Sequence, residues 1–358
     1  MQSLNHRVRR VLSGFSLCAL WFSFFALTGC SREPPLHQQE AFVFGTRVEV
    51  LVYGVGEAGA RTAAAAVLRE FDRLHRMLHA WQPSELTALN EAIARGERDI
   101  PVSPELAAML GDAAAIADKS DQLFNPAVGR LVALWGFHSD EFRPALPDAG
   151  AVEAVTKAHP RMSDLLVEGN RVTSRNRSVQ LDLGGYAKGY ALDRAAAILR
   201  GQGIGNALIN IGGNIMALGA KGGTPWRVGI QHPRSTAPLA TLELRDGEAI
   251  GTSGDYQRYF ELEGRRYCHL IDPRTGRPAE GARAATVLIT PRPGVGVLSD
   301  AASKPVFIAG PQAWRGMAQR LEVEHALRID DQGVMHVTAA FRERLKIEAV
   351  DMKIETMP

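Results

Sequence analysis

Cysteine is nearly absent from this chain of 358 residues: there are three, and Cys18 and Cys30 fall within the first thirty positions. Only Cys268 lies beyond them, so no disulfide framework can hold the body together and the fold must rest on its core. An excess of one charge is lacking too, with 41 basic against 39 acidic residues and a formal charge of +2. Residues 1–29 carry Arg7, Arg9 and Arg10 and no acid, so without them that balance becomes −1. The basic surplus of a nucleic-acid binder is thereby excluded. There is no low-complexity tract and no internal repeat beyond glycine pairs. Neither a phosphate loop of the form GxxxxGK[ST] nor a GxSxG nucleophile elbow occurs. Glycine, at 35 residues, is the abundant exception.

The one long apolar run, "VLSGFSLCALWFSFFAL" at 11–27, follows the basic "NHRVRR" and leads into "LTGC". It sits at the short end for a membrane span. Its flanks are those of a secretory signal. The reading is a lipoprotein signal over 1–29, cut before Cys30 and acylated on its sulfur. A tether follows over 30–40, "CSREPPLHQQE", and one domain fills 41–358. The expected location is the cell membrane, lipid-anchored and facing the periplasm. Ser31 follows the cysteine where an Asp would suggest inner-membrane retention, and the choice between inner and outer membrane stays open.

Along the body, residues 42–54 read as a strand. Ala64, Val67, Leu68, Phe71, Leu74 and Leu78 recur at helical spacing. A second helix is predicted over 104–119, a hairpin turning at Gly169 and Asn170, and a helix over 186–201. Short strands follow to about residue 290, then helices near Ser299 and over 311–321. Strands grouped between helices argue α+β rather than a regular parallel wind.

Two motifs mislead. "GVGEAG" at 54–59 matches the dinucleotide fingerprint GxGxxG. A first Rossmann strand is buried on both faces, yet Arg47 and Glu49 alternate here with Val48 and Val50. No second strand ending in an acid follows the helix, so a glycine-rich turn is the better reading. His75 and His79 have zinc-ligand spacing, but residue 76 is Arg where HExxH needs Glu. They read as helix-surface histidines.

What remains is a run of candidate sites. "LDLGGYAKGYALD" at 181–193 places a glycine pair ahead of a helix with Lys188 in its first turn. Free N–H groups there attract anions, and a cation so near a helix start calls for negative charge nearby. "INIGGNI", "TSGDYQRYF", "YCHLIDPRTGRP" and "LSDAASKP" each carry a turn or cap with polar groups.

In this order, and with "FGT", "PSELTALN" and "LFNPAVGRLVALWGF" before them, the motifs resemble the ApbE family of FAD:protein FMN transferases over nearly the whole mature chain. The resemblance implies an α+β fold of two intimately joined lobes, mostly antiparallel sheet with packed helices, and a flavin cleft between them. It implies transfer of FMN from FAD to a Ser or Thr hydroxyl of a partner protein, a membrane redox subunit by analogy, with release of AMP. His269 would be the catalytic base and Asp272 would orient its loop. FAD would be held by Thr46, Ser84, Glu85, Asn90, Asp182, Gly184, Gly185 and Lys188. Gly212, Gly213, Ser253, Arg258 and His269 would complete that site. Mg²⁺ would sit on the Ala187 carbonyl and Asp300.

The chain departs from the family where the motif's last residue should be a metal-binding Thr: Lys304 stands there. A charged lysine has three donors and no acceptor. Either its ammonium enters the site, or it points outward and Asp300 still holds a metal. An FAD pyrophosphatase and a periplasmic flavin-binding protein remain the alternative functions.

Overall fold

The computed structural model describes residues 34–139, 143–350 and 352–357. The expected signal segment and Cys30 lie outside them. Residues Pro34–Pro358 form one contact unit, the two expected lobes being joined to that extent.

The structure corrects two boundaries at once. Residues 36–40, expected as tether, belong to strand β1 (Leu36–Val43), which pairs antiparallel with β2 (Thr46–Tyr53) from Leu36 opposite Tyr53 to Val43 opposite Thr46. The strand expected over 42–54 is therefore broken by a two-residue turn. Phe44 and Gly45 both take positive φ, 56° and 67°, as a twist-matched hairpin turn requires. Left-handed backbone is costly for a bulky residue. Phe44 holds it with its ring against Phe71 at 6.1 Å and edge-on to His75 at 5.7 Å. Glu40 faces Glu49 across the ladder, and Arg47 bonds both carboxylates, which offsets their repulsion.

The hairpin opens a nine-stranded sheet. It continues through β3 (Ala207–Ile211), β4 (Asn214–Leu218), β5 (Ala249–Gly254), β6 (Ala282–Ile289), β7 (His325–Asp330), β8 (Met335–Thr338) and β9 (Ile354–Met357), in that spatial order. Every neighbouring pair is antiparallel except β8 with β9. The α+β class is as the sequence implied. An antiparallel β2 also removes the parallel βαβ unit that "GVGEAG" would need. Gly54 there turns at φ 82° and Gly56 caps the first helix.

Strand periodicity divides the core. Met216 and Leu218 of β4 join one apolar cluster while Ile215 and Ala217 join another on the opposite face. Helices α1 (Glu57–Leu78), α2 (Glu85–Arg95), α3 (Pro104–Lys119), α4 (Ala187–Gly201) and α5 (Val295–Ile308) contribute to the first. A smaller sheet of Trp226–Gln231, Pro238–Leu244 and Lys346–Ile347 covers the second. Among the described residues no helix is long and apolar enough to cross a membrane.

Close backbone contact seats α5. A Cβ on Gly189 of α4 would lie 2.3 Å from the Gly296 carbonyl, and one on Gly251 of β5 would lie 2.1 Å from that of Ser299. Bare backbone thus lets α5 rest directly on α4 and β5. The Asp193 carboxylate accepts the N–H groups of Gly296 and Val297 at 2.8 and 2.9 Å, capping α5 from α4. The outcome is that Asp300 and Lys304 stand beside the glycine pair that opens α4.

Candidate functional site

A cavity of about 990 Å³ opens where the β1–β2 turn, the end of α1, the start of α4, the 255–258 loop and α5 converge. Of the residues singled out from sequence, Thr46, Gly212, Ser253, Arg258 and His269 line it, as do Asp182, Gly184, Gly185, Ala187, Lys188 and Lys304. Gly212 and Gly213 form a left-handed turn, φ 57° and 93°, and a Cβ on Gly212 would strike the Thr46 side chain at 2.6 Å. The Ser253 hydroxyl is 2.7 Å from that of Ser303.

The amide cradle expected at the start of α4 is in part taken up inside the protein. Gly184 donates its N–H to Asp182 Oδ1 at 2.8 Å. Tyr186 and Ala187 both donate to the Leu183 carbonyl, at 2.9 and 2.8 Å. Gly189 donates to Asp300 Oδ2 at 3.0 Å. Those four donors are engaged inside the protein, and the side chains of Lys188, Lys304 and Arg258 bring positive charge to the cavity wall.

Burial pushes the Lys188 ammonium below its ordinary value, Asp300 opposes this, and Lys304 and Arg258 add to it. No carboxylate among the described residues pairs with Lys188. Burial likewise raises Asp182, with the Gly184 N–H and Arg258 working against it. The Arg258 guanidinium donates to the Phe137 and Ser139 carbonyls at 3.2 and 3.1 Å, which fixes it at the cavity wall.

His269 lies just past the strand Arg265–Cys268, where the sequence placed it on the strand. Burial, then the charges of Arg258 and Lys188, push it down to about 3, so it is neutral. Its Nδ1 is 3.2 Å from the Arg258 carbonyl. A carbonyl only accepts, so Nδ1 carries the proton and Nε2 keeps its lone pair. That tautomer is a base.

Asp272 does not line the cavity. Its carboxylate accepts the Arg274 N–H at 2.9 Å and the guanidinium at 2.7 Å, and Arg274 also reaches the Ile308 carbonyl at the end of α5. It ties the His269 loop to α5 and acts as a positioning residue.

Three further assignments are corrected: Ser84, Glu85 and Asn90 are absent from the wall. Ser84 caps α2 in a reciprocal pair with Thr87. Glu85 accepts from the Ser103 N–H and hydroxyl. Asn90, buried, bonds both backbone groups of Leu181, at 2.7 and 2.9 Å, and so fixes the chain entering 182–185. Gly213, which is exposed, is also absent from the wall. Conversely, His75 and His79, read as surface histidines, line the cavity. His79 Nδ1 accepts the Trp81 and Gln82 N–H groups as α1 ends. Their four-residue spacing beside "FGT" was the available signal.

The residues present do not fit a divalent cation. Asp300 is 1% exposed, with Oδ1 taken by the Lys304 ammonium at 2.6 Å and Oδ2 by the Gly189 N–H. Lysine offers a metal no lone pair while charged. Among the described residues no three His, Cys, Asp or Glu side chains gather as a metal site.

The profile of the ApbE family matches residues 44–327. The chain is 44% identical to an FAD:protein FMN transferase of Rhodobacter capsulatus over 87% of its own length, and spans 58% of that relative. It is 33% identical to one of Klebsiella pneumoniae, covering 80% of this chain and 81% of that one. Among solved structures, the ApbE protein of Thermotoga maritima superposes with a TM-score of 0.78 at 30% identity, over 87% of this chain and 99% of that one. The flavin transferase ApbE of Vibrio cholerae does so with 0.72 at 26%, over 87% and 100%.

Proposed function

The chain belongs to the ApbE family, and on that premise we propose that it transfers FMN from FAD to a hydroxyl of a partner protein. The acceptor oxygen attacks the phosphorus on the riboflavin side of the FAD pyrophosphate. The bridging P–O bond breaks, AMP leaves with its electron pair, and a phosphoester joins FMN to the acceptor Ser or Thr. The hydroxyl proton passes to His269 Nε2. The observation that carries this reading is the neutral His269, with Nε2 unprotonated, in a cavity lined by Lys188, Lys304 and Arg258, with Asp182 the one carboxylate among its described wall residues. Phosphoryl transfer asks little of a protein beyond positioning and stabilising charge. Lys188 and Arg258 supply that charge, and Asp272 holds the loop. No step uses a metal, since the site does not accommodate one.

The purified protein is expected to bind FAD more tightly than FMN or NAD, because only FAD offers a pyrophosphate to the cations and a flavin to the apolar wall. Calorimetry with the three ligands checks this. A clear preference for NAD would reject the reading.

Cys30 supports a membrane assignment for the same activity: acylation there would hold the enzyme at the periplasmic face, near a membrane redox subunit as acceptor. Each buried CH₂ adds about 0.8 kcal/mol to such anchoring. Cys30→Ala is expected to move from the membrane to the soluble periplasmic fraction. Retention in the membrane with residues 1–29 uncleaved would argue for a plain anchor instead.

A further inference from the structure

Lys304 is directed inward. Its side chain crosses the glycine pair so closely that a Cβ on Gly185 would lie 2.7 Å from its Cε and 3.0 Å from its Cδ. Its side chain is 15% exposed, and that remainder faces the cavity. The ammonium donates to Asp300 Oδ1 at 2.6 Å and to the Asp300 carbonyl at 2.8 Å. An ammonium has three protons, which leaves one for the cavity. The neighbouring hydroxyl, Ser303, is fully buried and does not line the cavity; its oxygen is held between the Asp300 carbonyl at 2.8 Å and the Ser253 hydroxyl at 2.7 Å. Gly185 is what makes room: any larger residue there would push the lysine stem off the turn.

We propose that the Lys304 ammonium occupies the place of a divalent cation in this site, neutralising Asp300 and meeting the FAD pyrophosphate, so that FAD binds without metal. The proposal rests on the FAD reading of the site. Its logic is charge balance. An unpaired Asp300 carboxylate buried behind the cavity would repel the pyrophosphate and would be costly to desolvate. Lys304 cancels it, and Lys188 with Arg258 then faces the doubly negative pyrophosphate. A lysine binds phosphate as a point charge. It brings one charge where Mg²⁺ brings two, and imposes no octahedral geometry. The chemical step then relies on Lys188, Arg258 and His269, and its rate is independent of chelator.

The test is FAD affinity by calorimetry, in EDTA and in Mg²⁺, with Mn²⁺ binding followed by electron paramagnetic resonance. Wild-type affinity is expected to change by less than about twofold between the two conditions, and wild-type protein should bind no Mn²⁺. Lys304→Thr should lose roughly tenfold or more in EDTA, as for a lost charged hydrogen bond, recover in Mg²⁺, and bind Mn²⁺. Lys304→Met should lose the same affinity with no recovery. A wild-type protein that binds Mn²⁺, or whose FAD affinity falls tenfold in EDTA, overturns the proposal. Should FAD fail to bind wild type in either condition, it is the transferase reading that fails, and the Mn²⁺ arm still decides the role of Lys304. If the variants do not fold, the wild-type arms decide alone.

Discussion

His269→Ala is expected to slow FMN transfer by about 10²–10⁴-fold, the range for loss of a positioned general base, while FAD affinity stays nearly unchanged. The separation follows from the tautomer. With Nδ1–H held by the Arg258 carbonyl, the ring meets the acceptor hydroxyl through Nε2 and adds no charge to the FAD site. The pH dependence has a definite sign. The free histidine value of 6.5 is lowered to about 3 in the folded chain, by burial first and then by Arg258 and Lys188. The base form therefore persists as pH falls through 6.5. The acid limb of kcat/KM, which reports the free enzyme, should show no inflection there. The unfolded chain takes up this proton first, so His269 subtracts stability as pH drops from 6.5 toward 3. Single-turnover transfer assays beside FAD titrations check the first statement, and pH profiles the second. Equal transfer by His269→Ala would make the histidine structural.

Lys188→Met should act in opposite directions on two properties. FAD binding is expected to weaken by roughly ten- to hundredfold, the equivalent of about 1.5–3 kcal/mol for a hydrogen bond to a charged group. The ligand-free protein should melt at a higher temperature. Burial presses the Lys188 ammonium toward its neutral form, and no carboxylate among the described residues pairs with it, so the empty site bears a desolvation cost that methionine removes. A lysine kept for stability would show the reverse, a lower melting temperature with FAD affinity intact.

How far the sequence discloses this site depends on whether a signal is local. The bounds of α3 were legible because Ser103 and Pro104 are start signals and the apolar spacing runs unbroken to Lys119. The α+β class was legible from grouped short strands. The β1–β2 turn was not. Phe44 is no turn former, and hydrophobic alternation runs straight through it, so its left-handed backbone is set by packing on Phe71 and His75. Among site residues, those at or beside glycine turns, Asp182, Gly184, Gly185, Ala187, Lys188 and Gly212, were placed at the cavity. Ser84, Glu85 and Asn90 were drawn in by the family motif, though their side chains serve caps and a backbone clamp. The engagement of Asp300 by Lys304 was only half legible. Four-residue spacing permits the pair, but the inward direction depends on Gly185, more than a hundred positions away, lacking a Cβ.

The most direct test of the central claim is the intact mass of an acceptor protein after incubation with this enzyme and FAD, with AMP measured in the same reaction. The expected result is an acceptor heavier by FMN less one water, on a Ser or Thr, with one AMP for each modified chain. Free FMN and AMP beside an unmodified acceptor would make the protein a pyrophosphatase, and bound FAD left intact would make it a flavin-binding protein; either would contradict the account.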